Sequence, residues 1–247
     1  MSGHSKWATI KHKKGIADAK RGQAFTKLIK EISVAAKMGG PEPESNARLR
    51  TAILKARSEN MPKDNITKAI KKGSGELGDS VYYELTYEGY APGGVALIVD
   101  TLTDNKNRTA ADVRSTLTKL GGSLGSTGCV SYMFTTKGEI SYEKEKYTEE
   151  QIFEQALEVG AEDVSSDDEL ITVTTDPGDF ANVLEAMQNA GFEESNADVN
   201  KISEQMVSLD NDKTAKVLRI IDKLEDLDDV QKVSTNLEIP DDFEEDN

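Results

Sequence analysis

Cysteine is nearly missing from the 247 residues, with Cys129 the single one, and histidine occurs only twice. One thiol excludes an intrachain disulfide framework and any thiol-rich zinc site. Both histidines, His4 and His12, lie in the first twelve residues, so a Cys–His nucleophilic pair with Cys129 is not expected. Cys129 reads instead as a small buried residue. Aromatic residues make up 6% and hydrophobic residues 36%, which is lean but sufficient for compact domains. No uninterrupted apolar run approaches the ~20 residues that cross a bilayer. The start, Met1-Ser-Gly-His-Ser-Lys, has no apolar core behind it. A soluble, untargeted, cytoplasmic protein with no membrane partner is expected.

Acidic residues dominate, giving a formal charge of -15, which would ordinarily exclude a polyanionic ligand. The distribution reverses that conclusion for one segment. Residues 1–75 hold 17 Lys+Arg against 6 Asp+Glu, and residues 76–247 hold 13 against 39. A basic binding module joined to an acidic body follows.

Lys6-Trp-Ala-Thr-Ile-Lys-His-Lys-Lys-Gly15 has no apolar periodicity and predicts a flexible arm. Lys6, Lys11, His12, Lys13 and Lys14 could follow a phosphate backbone, while Trp7 stacks on a base or packs on its own domain. From Ala17 to Met38, Phe25, Leu28, Ile29, Ile32 and Ala36 recur at helical spacing, with Gly39-Gly40-Pro41 as the stop. A second helix opens at Ser45 or Asn46 and buries Leu49, Ala52, Ile53 and Ala56; a third opens near Pro62 and buries Ile66, Ala69 and Ile70. The cations Lys20, Arg21, Lys27, Lys30, Arg48, Arg50, Lys55, Arg57, Lys63, Lys68, Lys71 and Lys72 ride on these helices. A solvated surface normally mixes both signs. Near-uniform sign over three short helices predicts a nucleic-acid ligand for residues 1–78, with Gly73 to Gly78 as helix stop and linker.

The remainder alternates strand and helix. Strands are predicted at Ser80–Glu88, Val95–Val99, Val130–Thr135, Gly138–Tyr142, Leu170–Thr174, Glu193–Ala197, Ile202–Leu209 and Val230–Ile239. Helices are predicted after a polar loop at Asp104–Arg108 with Thr109 as N-cap, at Thr148–Val159, from Asp176-Pro177 to Ala190, and over Asn211–Leu227. The pattern predicts an α+β multidomain chain: a basic three-helix bundle, then two small α+β (ferredoxin-like) domains. Such a unit needs two helices and the first stretch supplies one. The last helix and strand are therefore expected to return to residues 79–135, pairing them with 206–239 and leaving 136–205 as an inserted domain. Residues 240–247 read as an acidic solubilising tail, or as a competitor for the basic arm.

No motif carries catalysis. Gly121-Gly-Ser-Leu-Gly-Ser-Thr-Gly128 lacks the Lys-Ser/Thr of a phosphate loop and precedes a strand, so it reads as a mobile turn or backbone contact loop. Asp167-Asp-Glu169 and Glu149-Glu150 lack calcium-loop spacing. No metal, no cofactor and no enzymatic activity are expected. Tyr87, Tyr90, Asn105, Lys106 and Arg108 are candidate contact loops for RNA or protein.

Gly3-His-Ser-Lys-Trp7, Lys20-Arg-Gly22 with Phe25-Thr-Lys-Leu-Ile29, Asn60-Met-Pro-Lys-Asp-Asn-Ile66, Tyr87-Glu-Gly-Tyr90 with Pro92-Gly-Gly-Val-Ala96, and Thr103-Asp-Asn-Lys-Asn-Arg-Thr109 together resemble the YebC/PmpR family. Its mitochondrial relative is a translational activator of cytochrome c oxidase subunit I. Ala91 and Thr9 stand where the family often has glycine and asparagine. The resemblance implies a cytoplasmic, non-enzymatic three-domain protein whose third domain is inserted in the second. It also implies DNA-binding transcriptional regulation, with a ribosome-associated translation factor that relieves stalls at proline-rich stretches as the alternative. A third reading, an acidic protein-interaction adaptor, leaves the basic segment unexplained. The helices offer mostly lysine, a point charge suited to phosphate rather than base edges. DNA or ribosomal RNA is the expected partner.

Overall fold

The computed structural model describes residues 18–77, 81–240 and 243. The arm and most of the acidic tail lie outside this set, as do the side chains of Lys20 and Arg21. The chain divides into two compact units: the N-terminal helices with Thr136–Asn200, and Val81–Thr135 with the residues from Lys201 onward.

In the first unit, α1 (Asp18–Gly39), α2 (Ala47–Ser58) and α3 (Lys63–Gly73) share one apolar cluster built on Leu28, Ile32, Leu49, Ile53, Met61 and Ile66. Asn46 joins two helix ends. Its Oδ1 accepts the Leu49 amide at 3.0 Å, capping α2, while its Nδ2 donates to the carbonyls of Ala35 at 2.8 Å and Gly40 at 2.9 Å. Groups that a helix terminus leaves orphaned are thus satisfied within the protein. Between α2 and α3, Asn60 adopts φ 58° and the Met61 amide returns to the Ala56 carbonyl at 2.8 Å. This left-handed cap turns the chain, buries Met61 and lets Pro62 start α3. Helix α1 meets α3 closely: a Cβ on Gly73 would stand 2.2 Å from the Ser33 carbonyl oxygen.

The same unit contains a sheet in the order β5-β6-β4-β7: β4 (Phe134–Glu143), β5 (Asp163–Ser166), β6 (Leu170–Thr175) and β7 (Asn196–Ser203). Ile140, Tyr142, Ile171 and Val173 form a core with α5 (Glu149–Glu158) and α6 (Phe180–Asn189). Leu54 of α2 packs on that core, and the neighbouring Lys55 pairs with Asp198 of β7.

In the second unit, β1 (Tyr83–Ala91) and β2 (Val95–Thr103) form an antiparallel hairpin within the order β3-β1-β2-β9, with β3 at Ser123–Leu124 and β9 at Val230–Thr235. Val95 to Val99 is buried on both faces. Ala96 and Ile98 pack with Val130 on one face. Helices α4 (Lys106–Lys119) and α7 (Asn211–Glu225) pack on the sheet and on each other. A short parallel pair, β8 (Val207–Ser208) with β10 (Leu237–Glu238), completes the unit.

The architecture is α+β and multidomain, with N-terminal helices and sheet domains. Several predicted boundaries move. Asn105, not Thr109, caps α4, and Lys106–Arg108 form its first turn rather than a loop. Thr109 is buried because its hydroxyl accompanies Thr103 into a polar cluster. The strand predicted at Val130–Thr135 begins at Phe134, since Ser131–Met133 make a 3-10 turn, and it runs on through Gly138–Tyr142 as one strand. Asp176-Pro177 makes a turn before α6, which starts at Phe180, with the Asp176 carboxylate accepting from the Gly178 amide. Asn196–Ser203 spans the gap between two predicted strands, and Asn236 interrupts the final one.

Candidate nucleic-acid interface

Helix α3 separates charge from apolar surface by its period alone. At ~100° per residue, Ile66, Ala69, Ile70 and Gly73 share one side, Lys68, Lys71 and Lys72 spread over the opposite one, and Lys63 in the first turn flanks the apolar side. Ile66 and Ala69 are buried, while Lys63, Lys68 and Lys71 are exposed, as is Arg57 at the end of α2. These four cations have no ion-pair partner among the described residues. Asp64 is the only carboxylate within α3.

Other predicted cations hold the protein together. The Arg48 guanidinium grips Glu31 through two nitrogens, at 2.6 and 3.0 Å. Arg50 donates to the carbonyls of Pro43 at 2.9 Å and Glu44 at 2.8 Å, and Lys55 is taken by Asp198. On α1, Lys37 is exposed and Lys27 and Lys30 are half-buried; Lys72 on α3 is also half-buried. Lys6, Trp7, Lys11, His12, Lys13, Lys14 and the side chains of Lys20 and Arg21 fall outside the described residues.

The candidate contact loops of the second unit are organised by two buried acids that sequence reasoning passed over. Asp229 accepts from Arg108 at 2.6 and 3.2 Å, Thr109 at 2.9 Å and Thr103 at 3.1 Å. These hydrogen bonds, Asp229 first and then Asp104, hold Arg108 firmly charged. Burial, and then the Asp229 charge, pushes the Tyr87 hydroxyl up. Asn105 caps α4, and the Lys106 ammonium lies 4.0 Å from the centre of the exposed Tyr83 ring. Thr103 to Thr109 is therefore a helix start wrapped on Asp229. Nothing in Asp228-Asp229 marks which carboxylate turns inward.

Glu88 organises the glycine-rich loop. Its two oxygens accept the amides of Gly128 at 2.7 Å and of Val130 and Ser131 at 2.8 Å. Burial raises this carboxyl's pKa, but the three amides outweigh burial and hold it below its ordinary value. The Tyr90 hydroxyl donates to the Cys129 carbonyl at 3.1 Å. Beside them, a Cβ on Gly89 would lie 2.4 Å from the Ser123 carbonyl oxygen. The segment predicted as a mobile turn or contact loop is thus tied to β1 by backbone pairing and by Glu88. Cys129 is half-buried rather than buried; burial, then Glu88, pushes its thiol up, away from thiolate chemistry. A strand carboxylate between two tyrosines was the available signal for Glu88.

Among the described residues, no group of three or more His, Cys, Asp and Glu side chains could hold a metal ion. Nor is any helix there long and apolar enough to cross a membrane.

Comparison with known proteins supplies a family. Residues 5–76 match the TACO1/YebC protein N-terminal domain, and residues 82–237 match the TACO1/YebC second and third domain. A relative from Treponema denticola is 66% identical over 99% of both chains, and one from Treponema pallidum is 60% identical over 97% of this chain and 98% of its own. Both are named "Probable transcriptional regulatory protein". The crystal structure of a conserved hypothetical protein from Aquifex aeolicus superposes with a TM-score of 0.81 at 46% identity, over 93% of this chain and 95% of that one. This is a family of regulatory proteins rather than enzymes. With two domain matches that together span nearly the whole sequence, the chain belongs to the TACO1/YebC family.

Proposed function

We propose that the protein is a DNA-binding regulator of transcription that meets its nucleic acid through residues 1–78. The carrying observation is the unpaired cationic face of α3, Lys63, Lys68 and Lys71, with Arg57 beside it in sequence. The names of the relatives support the regulatory role. In this reading the N-terminal segment is a three-helix bundle extended by the arm Lys6 to Lys14. Residues 79–135 with 206–239, and 136–205, are ferredoxin-like domains that keep the rest of the acidic chain off the phosphates, and 240–247 is a tail. The protein works in the cytoplasm.

One observation favours a second reading, a translation factor bound to ribosomal RNA. The exposed α3 cations are lysines, which track a phosphate backbone without the bidentate fork that reads a guanine edge. Crosslinking in growing cells, with sequencing of bound DNA and bound RNA in parallel, separates the two. Promoter peaks lost on Lys63→Glu/Lys68→Glu/Lys71→Glu substitution support the transcriptional regulator. Enrichment on ribosomal RNA without promoter peaks replaces it with the translation factor.

A further inference from the structure

Helix α5 reads Glu-Glu-Gln-Ile-Phe-Glu-Gln-Ala-Leu-Glu. Ile152 and Ala156 are fully buried. At ~100° per residue, Phe153 and Leu157 form the next row around the helix, and Glu150, Glu154 and Glu158 the row after that. Phe153 is 45% exposed and Leu157 49%. Single exposed apolar residues are ordinary, but here two adjoin on one rigid surface. The three glutamates are exposed and have no ion-pair partner among the described residues.

This arrangement works against the helix that carries it. Like charges four residues apart repel, and Glu158 sits at the end where the macrodipole is already negative. The helix contains no cation. Residues 136–200 around it hold 18 Asp+Glu and 3 Lys+Arg, and of those three Lys137 and Lys146 pair with Glu162 and Glu143.

We infer that α5 is a docking surface for a lysine- and arginine-rich protein segment carrying two apolar side chains at helical spacing. The apolar pair would anchor it while cations settle on the glutamate row. Nucleic acid is excluded from this face by like charge. A second copy is disfavoured for the same reason, since α5 against α5 confronts two glutamate rows. The surface is separate from the α3 face and does not depend on the nucleic-acid reading.

The test uses the full chain and a fluorescent synthetic peptide with lysine and leucine patterned as an amphipathic helix. A peptide of identical composition with dispersed leucines is the comparator. Polarisation titrations should show the patterned peptide bound at least tenfold more tightly. Phe153→Ser/Leu157→Ser should remove that preference, and Glu150→Gln/Glu154→Gln/Glu158→Gln should weaken binding tenfold and flatten its salt dependence. Circular dichroism checks that both variants stay folded. Equal affinity for the two peptides, or unchanged binding by folded variants, overturns the assignment. A photo-crosslinker at position 153 in growing cells should map to a lysine/arginine-rich segment of another protein. Crosslinks to a second copy, to residues 1–17 of the same chain, or to nothing also overturn it.

Discussion

The carboxylate of Glu88, on a central strand, accepts the amide of Ser131 at 2.8 Å. With the amides of Gly128 and Val130 on the same side chain, one carboxylate gathers three amides of the loop between β3 and β4. Those amides favour the ionised form, so the folded pKa lies below the ordinary 4.5.

A depressed carboxylate stabilises the fold above its unfolded pKa, and that contribution disappears as pH falls through the folded value. The stability advantage of the wild-type chain over Glu88→Gln should therefore be full at neutral pH and shrink on acidification below 4.5. At pH 7 it should amount to about 2–3 kcal/mol, since hydrogen bonds to a charged group are involved. Urea titrations from pH 7 downward test this, and a pH-independent difference would contradict it.

Asn46 should be intolerant of change. Alanine removes both the α2 cap and the two donors to α1, costing roughly 2–3 kcal/mol. Aspartate keeps the acceptor for Leu49 but loses the donors and should fall between. Thermal unfolding of the two variants checks the order.

Gly73→Val should destabilise the helical segment, because the added Cβ would meet the Ser33 backbone at 2.2 Å. Gly75 has φ +88° with nothing within 4 Å of its would-be Cβ. Gly75→Val should therefore suffer only from backbone strain. Amide exchange in α1 and α3 distinguishes the two, with faster exchange expected for Gly73→Val.

Reversal of Lys63, Lys68 and Lys71 to glutamate should weaken nucleic-acid binding at least tenfold. It should also reduce the slope of log affinity against log salt by about 2–3, the value for three released counterions. Lys11→Glu/Lys13→Glu/Lys14→Glu should act in the same direction. By contrast Arg48→Ala should chiefly lower stability, because Arg48 is committed to Glu31. An unchanged slope in the arm variant would remove the arm from the interface.

The elements most legible in the sequence are those with strong period and strong punctuation. Leu49, Ala52, Ile53 and Ala56 are buried as their spacing predicts, and Asn46 caps α2. Thr148 and Gln151 form a reciprocal capping box at the start of α5. Less legible were features set by partners far along the chain. Thr109 looks like a cap until Asp229, 120 residues later, draws it inward. Asp163–Ser166 is too short and polar to announce itself, and it is a strand because Leu170–Thr175 pairs with it. Charge showed where cations concentrate, but not that Arg48, Arg50 and Lys55 would be consumed by packing.

The pairing of Lys55 with Asp198 also imposes a timetable on synthesis. The two residues are 143 positions apart, an interval of roughly 7–30 s at ~5–20 residues per second. For most of that interval the nascent helices have no sheet to receive Leu54, because β4 and β6 pair only once residue 175 has been made, so this unit closes late. Val81–Thr135 emerges in the meantime and must wait in turn for Lys201 onward. Neither unit can finish before most of the chain has been made, and a truncated product ending near residue 135 would contain two unfinished halves.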